Sequence, residues 1–202
     1  MKRWQAERYR KPLSLLCCFI IPVIILLVVY HKIQMYPFGP KSLLMLELRQ
    51  QYVAFFSYYK EILAGQHSLF YSFSKGLGGD MFSLFAYYLS SPLNLLLAIF
   101  PEEALLEAVW LITVLKIGLC GLAFGVYAQR VFRLEPTITV VFSIAYALIG
   151  YNIAYQSNLM WIDSVMLLPL VVLGIEQIRE QGKGTLFVLA IDRKSTRLNS
   201  SH

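Results

Sequence analysis

The chain has 202 residues, of which 57% are hydrophobic and only 15% charged. Soluble domains carry about 25% charged residues, so this composition excludes a water-soluble globular protein and points to an integral membrane protein. The net charge of +6 does not form a nucleic-acid patch: Lys2, Arg3, Arg8, Arg10 and Lys11 precede the first apolar run, and other basic residues sit between later runs, the distribution that keeps such segments cytoplasmic.

Residues 1–11 read as a basic cytoplasmic N-terminus and 12–30 as the first transmembrane helix. From Leu13 to Tyr30 only Ser14 and Pro22 interrupt the apolar run. At ~1.5 Å per residue that run approaches the ~30 Å of a hydrocarbon core. It is longer than the ~7–15 apolar residues of a signal peptide, and no small-x-small cleavage site follows Tyr30. The helix is therefore expected to stay in place.

Residues 31–103 are then expected to form an extracellular loop. Within it, 43–64 has the spacing of an amphipathic helix, with Leu44, Leu48, Tyr52, Phe55, Phe56 and Tyr59 on one side. Glu47, Arg49, Gln50, Lys60 and Glu61 occupy much of the rest, and Gly65 is the expected stop. So many aromatic residues suit a helix lying on the membrane surface.

The next apolar stretch, 81–100, carries Ser90, Ser91, Pro92 and Asn94 at its centre. If it spanned as a Pro-kinked helix, Arg130 and Arg133 would fall outside. If it is re-entrant or confined to the outer leaflet, every basic cluster falls inside. The second arrangement is the expected one.

Residues 104–191 should hold further transmembrane helices, at 104–128, 137–155 and 160–178, followed by a short apolar stub from Thr185. Gly118, Gly121 and Gly125 recur at helical spacing and suit close helix packing. Lys116 lies deep in the same helix, where a charge must face protein or water, so it is a functional candidate. Cys17, Cys18 and Cys120 lie in apolar runs without a CxxC pattern and read as small buried hydrophobes. The polar residues 192–202 do not continue the pattern. They read as a non-native tail, similar to translated sequencing-adapter sequence, and the protein is expected to continue beyond Ile191.

No metal-binding spacing, phosphate-binding loop or nucleophile triad is legible in the chain. The chemistry must come from scattered carboxylates. Glu47 sits among Leu43, Leu44, Met45, Leu46 and Leu48; desolvation there would raise its pKa and suit a general base, with an ion pair to Arg49 or plain exposure as the alternatives. Asp80 closes Gly76-Leu77-Gly78-Gly79-Asp80, whose glycines permit a tight turn with amides able to meet a phosphate, or simply a flexible loop. Asp163 follows Trp161 near a helix start. It is a candidate cap, a buried partner for Lys116, or part of a site.

Several motifs resemble the bacterial YfhO membrane-protein family. They are Tyr36-Pro37-Phe38-Gly39, Gln51-Tyr52 with Phe55-Phe56, and the stretch from Ser68-Leu69-Phe70-Tyr71 to Gly76-Leu77-Gly78-Gly79. Ser90-Ser91-Pro92-Leu93-Asn94, Tyr146-Ala147-Leu148-Ile149-Gly150-Tyr151 and Asn158-Leu159-Met160-Trp161-Ile162-Asp163 continue the likeness. It covers nearly everything from Tyr36 to Glu176.

The resemblance implies an all-α, polytopic helical membrane protein of GT-C-like architecture, with interfacial helices in a long first extracellular loop. It implies transfer of a sugar from a polyprenyl-phosphate carrier to a cell-surface polymer such as lipoteichoic acid, at the outer leaflet of the cell membrane. In this reading Glu47 is the catalytic base, and Arg49, Lys75, Gly78, Gly79, Asp80 and Asp163 bind substrate. No cofactor is required, though a divalent cation is compatible with the class. The other expected partner is the lipid bilayer, with no role for nucleic acid. The resemblance also leads one to expect Asp at position 47 and often an acid at position 40, where this chain has Glu47 and Pro40. The alternatives are a non-catalytic lipid-linked sugar transporter or flippase, with Lys116 and Asp163 as its working residues, and a scaffold for a separate transferase.

Overall fold

A computed structural model describes residues 2–45, 48–74, 76–182 and 184–190, with side chains from residue 11 onward. Glu47, Lys75 and the 192–202 tail lie outside the described residues.

Among the described residues, four helical segments are long and apolar enough to cross a membrane: Lys11–Lys32, Glu102–Val131, Pro136–Ala154 and Leu159–Gln181. The first belongs to α1 (Lys2–Lys32), the second to α4 (Leu105–Val131), and the last is α7 (Leu159–Gln181). The third is broken into α5 (Pro136–Ala147) and α6 (Gly150–Ala154). At that break the Asn152 side-chain amide donates to the Ala147 carbonyl (2.9 Å), so the interrupted backbone keeps a partner. The architecture is therefore that of an all-α, multi-pass membrane protein.

Small residues set how closely the helices approach. Pro22 has no N–H to give the Cys18 carbonyl one turn earlier, so that oxygen loses its partner within α1. It lies against Gly121 of α4, where a Cβ would sit 2.3 Å from it. Gly125 similarly admits the Cys18 thiol and the Ser143 hydroxyl. Gly118 meets Phe19 and Val23, and Gln129 donates to the Ser14 hydroxyl (2.7 Å), so α1 and α4 run antiparallel. Gly121 near Ala147 and Gly125 near Ser143 make α5 antiparallel to α4. Lys116 meets Leu159 and Cys120 meets the Ile162 carbonyl, so α7 runs parallel to α4.

The segment 33–104 closes one end of this bundle. Met35 and Lys41 form a bridge around a cis Tyr36–Pro37 bond. A wide helical turn, Leu48–Tyr52, leads into α2 (Val53–Leu63). The helix expected over 43–64 thus begins later, because the Ser42 hydroxyl accepts the Leu44 N–H (2.9 Å) and holds a local turn there. It stops where expected, at Gly65, whose φ of +75° suits glycine.

The aromatic face of α2 differs from the surface-lying helix the sequence suggests. Leu48, Tyr52, Phe56 and Tyr59 are buried in the main core, with Leu97, Val109 and Ile112 among its other members. That face holds the segment together and is not offered to lipid.

Strands β1 (Tyr71–Ser72) and β2 (Gly79–Asp80) then pair antiparallel, Tyr71 opposite Asp80. After them α3 (Phe82–Leu84) continues as a wider turn through Phe85–Leu89. Ser91 is extended, as a residue before proline prefers, and a 3-10 helix runs over Pro92–Ile99. The two arms, Phe82–Leu89 and Pro92–Ile99, are apolar enough together to be a span but are bent by 98°. Because α1 and α4 are antiparallel, and Tyr36 just after α1 bonds Glu107 at the start of α4, the segment returns to the bundle end it left.

Candidate functional site

A connected polar group lies inside the bundle. Lys116 of α4 and Asp163 of α7 form an ion pair of 2.9 Å, with side chains only 1% and 3% exposed. The Lys116 ammonium also donates to the Leu159 carbonyl (2.9 Å), and the Ser91 hydroxyl donates to the same Asp163 oxygen (3.2 Å). Two unit charges in an apolar interior cost several kcal/mol each to desolvate, and persist only when paired and hydrogen-bonded. Both conditions hold here. The joint unites α4, α7 and the break of the bent pair. Of the three roles the sequence left open for Asp163, the structure shows that of buried partner of Lys116. Ser91 went unforeseen, because its serine-proline setting signals only a break.

A second polar layer joins the 33–104 segment, the cap, to the bundle. The Tyr52 hydroxyl donates to Asn158 (2.8 Å) and accepts the Met160 N–H (3.3 Å), while Tyr30 donates to Gln156 (2.6 Å). The short connection ahead of α7 is thereby tied to both α1 and the α2 segment. The Tyr36 hydroxyl donates to Glu107 (2.5 Å). That acceptor, a carboxylate, holds the phenol's pKa above its ordinary value.

The remaining predicted site residues are dispersed. Arg49 is exposed on the turn that buries Leu48 and Tyr52. Gly78 has φ +102°, and the space where its Cβ would sit is filled by the Tyr71 phenol. Gly79 pairs with Ser72 in the small ladder. Asp80 closes the start of α3: its carboxylate accepts the Phe82 and Ser83 N–H groups, 3.0 Å each, and the Ser83 hydroxyl. This is the chemistry of a helix cap. The spacing Asp80-x-x-Ser83 could have revealed it.

The cap also contains features that the sequence did not flag. A cavity of about 520 Å³ opens between the end of α2 and the start of α4, with Lys60, Glu61, Gln66 and Glu102 as its polar lining. Glu61 pairs with His67 (3.2 Å), and His67 stacks on Tyr58. The Lys60 ammonium and Asn94 amide oxygen in the cap, one Glu107 oxygen and the Trp110 indole nitrogen on α4, and the Ser143 hydroxyl and Asn152 amide oxygen on α5 and α6 are buried without hydrogen-bond partners. Among the described residues, no three His, Cys, Asp or Glu side chains are grouped to hold a metal ion.

Apolar crossing helices joined by a satisfied internal ion pair, under a folded cap, define a multi-pass membrane protein. A family profile described as "Bacterial membrane protein YfhO" matches residues 18–192, and the chain belongs to that family. Searches of curated proteins and of solved structures found no match.

Proposed function

We propose that the full-length protein is a membrane glycosyltransferase that moves a sugar from a polyprenyl-phosphate carrier to a cell-surface polymer such as lipoteichoic acid. In this reading the N-terminus is cytoplasmic and the 33–104 cap faces outward, with its bent pair re-entrant or confined to the outer leaflet. The observation that carries the proposal is this cap: it leaves and rejoins the bundle at one end and holds a polar cavity there. A transferase acting on a lipid-linked donor needs a folded site at the bilayer surface. A transporter instead needs a polar path through the bundle, and the polar pair within it is committed to mutual contacts.

Glu47 would take the proton of an acceptor hydroxyl as that oxygen attacks the anomeric carbon. The bond from that carbon to the carrier phosphate breaks, its electron pair leaves with the phosphate, and the configuration inverts. Arg49 and Lys75 would stabilise the charge on the departing phosphate, with the turn through Gly78, Gly79 and Asp80 beside it. Asp163 would act at a distance, by holding the break of the bent pair.

The test is to delete the gene and complement it with wild type or Glu47→Gln, reading surface-polymer glycosylation by mass spectrometry with expression matched by blot. Loss of a general base costs about 10²–10⁴-fold in rate, so Glu47→Gln is expected to leave the polymer unglycosylated. Full glycosylation by the variant sinks the assignment. The transporter reading rests on the intramembrane Lys116–Asp163 pair. It gains if Lys116→Met abolishes glycosylation at normal protein levels while Glu47→Gln does not.

A further inference from the structure

Three of the four most exposed large apolar side chains among the cap's described residues lie in the 70–80 finger, described over residues 70–74 and 76–80. Leu77 is fully exposed, Phe73 is 83% and Phe70 71% exposed, more than the outward-facing Leu13 (60%) and Val28 (53%) of α1. Tyr71 packs edge-on against Phe73, which keeps the aromatic surface displayed and not folded inward. The finger is also anchored. Its base is the β1–β2 ladder, Met81 just beyond it is buried in the core, and Asp80 ties it to α3.

The apolar surface continues past the finger. Phe70 stacks on Phe82, which adjoins Phe85. Phe82, Leu95 and Ile99 are the exposed large apolar residues of the bent pair. That pair has the hydropathy of a membrane span, yet its 98° bend prevents it from acting as one straight crossing. Such a segment is stable against lipid at the interface or partly within the hydrocarbon layer. Phenylalanine, tyrosine and leucine beside serine and glycine suit the boundary between headgroups and acyl chains.

We propose that the 70–80 finger inserts into the bilayer leaflet at the cap end of the bundle, with Phe73 and Leu77 at the headgroup–acyl boundary. The finger and bent pair then form one continuous lipid-contacting rim. This inference stands independently of the transferase reading.

The test uses the full-length protein in vesicles of three parts phosphatidylcholine to one part phosphatidylglycerol. Its cysteines are replaced by alanine, and Phe73→Cys or Leu77→Cys is labelled with bimane. Val28→Cys serves as the lipid reference and Glu103→Cys as the water reference. Nitroxide-bearing lipid is expected to quench the 73 and 77 labels as strongly as the Val28 label, with iodide at least threefold weaker than at Glu103. Iodide quenching equal to Glu103 places the finger in water and overturns the proposal. Protection from both quenchers shows that protein covers it, and overturns the proposal as well.

Discussion

The Lys116–Asp163 joint and the junction between the bundle and its cap handle buried polarity in opposite ways. Inside the bundle, the Lys116 ammonium and Asp163 carboxylate are paired and further bonded to Leu159 and Ser91. At the junction with the cap, the Lys60 ammonium of α2 and, in the first turns of α4, one Glu107 oxygen and the Trp110 indole nitrogen are buried without partners. A satisfied polar joint fixes one arrangement of helices, whereas an unsatisfied group retains its demand for a ligand, a water or a moving side chain. Structural integrity is therefore to be tested at the joint, and the junction around Lys60 holds the groups still open to a partner.

The largest effect should come from breaking the joint on one side. Asp163→Leu leaves a buried ammonium without its counter-charge and should cost about 3–5 kcal/mol. The readout is a lowered unfolding temperature in detergent and reduced protein level. The double variant Lys116→Met/Asp163→Leu should recover most of that loss. If Asp163→Leu unfolds at the wild-type temperature, the contrast between the joint and the cap junction collapses. Gly121→Ala comes next, since its methyl would press on the Cys18 carbonyl; overpacking of this kind costs roughly 1–3 kcal/mol. The same melting assay should show the drop, while Gly65→Ala, which has open space around it, is limited to its backbone strain.

Lys60→Met sharpens the comparison from the cap side. Removing an unpartnered ammonium should leave stability unchanged or raise it by about 1 kcal/mol. A large loss would mean that Lys60 is a structural element like Lys116. The smallest effect concerns Tyr36. Glu107 raises its folded-state pKa above the unfolded value, so the bond's contribution is fully present below the unfolded phenol pKa of about 10. It is lost as pH rises through the higher folded value. An alkaline absorbance titration of wild type against Tyr36→Phe should show this phenol ionising later than a free one.

Much of this division was legible in the chain. The four spans follow from long apolar runs, and Lys116 stands out because a charge in such a run needs a reason. Its partner was only one of three options, because Asp163 is 47 residues away and the parallel packing of α7 on α4 is a tertiary outcome. The inward turn of the α2 aromatic face was illegible for the same reason: periodicity shows that a helix has an apolar face, but not whether lipid or protein covers it. The role of Asp80 in starting α3 is local, since its carboxylate meets the N–H groups of residues two and three positions on. The Tyr36–Glu107 and Tyr52–Asn158 bonds left no local signature, since each joins residues far apart in sequence.

The seam of α1 against Gly121 and Gly125 has a consequence for how the protein is made. α1 leaves the ribosome well before α4, so it must rest in the membrane before the helix that fits it exists. It is suited to that wait, with a mean hydropathy of 3.0 against 2.1, 1.9 and 1.6 for the other spans. The later spans, α4 with its lysine above all, meet a docked neighbour as they arrive. The most apolar span thus precedes the others in synthesis: α1 is accepted by lipid alone, and it then serves as the template on which its successors are admitted.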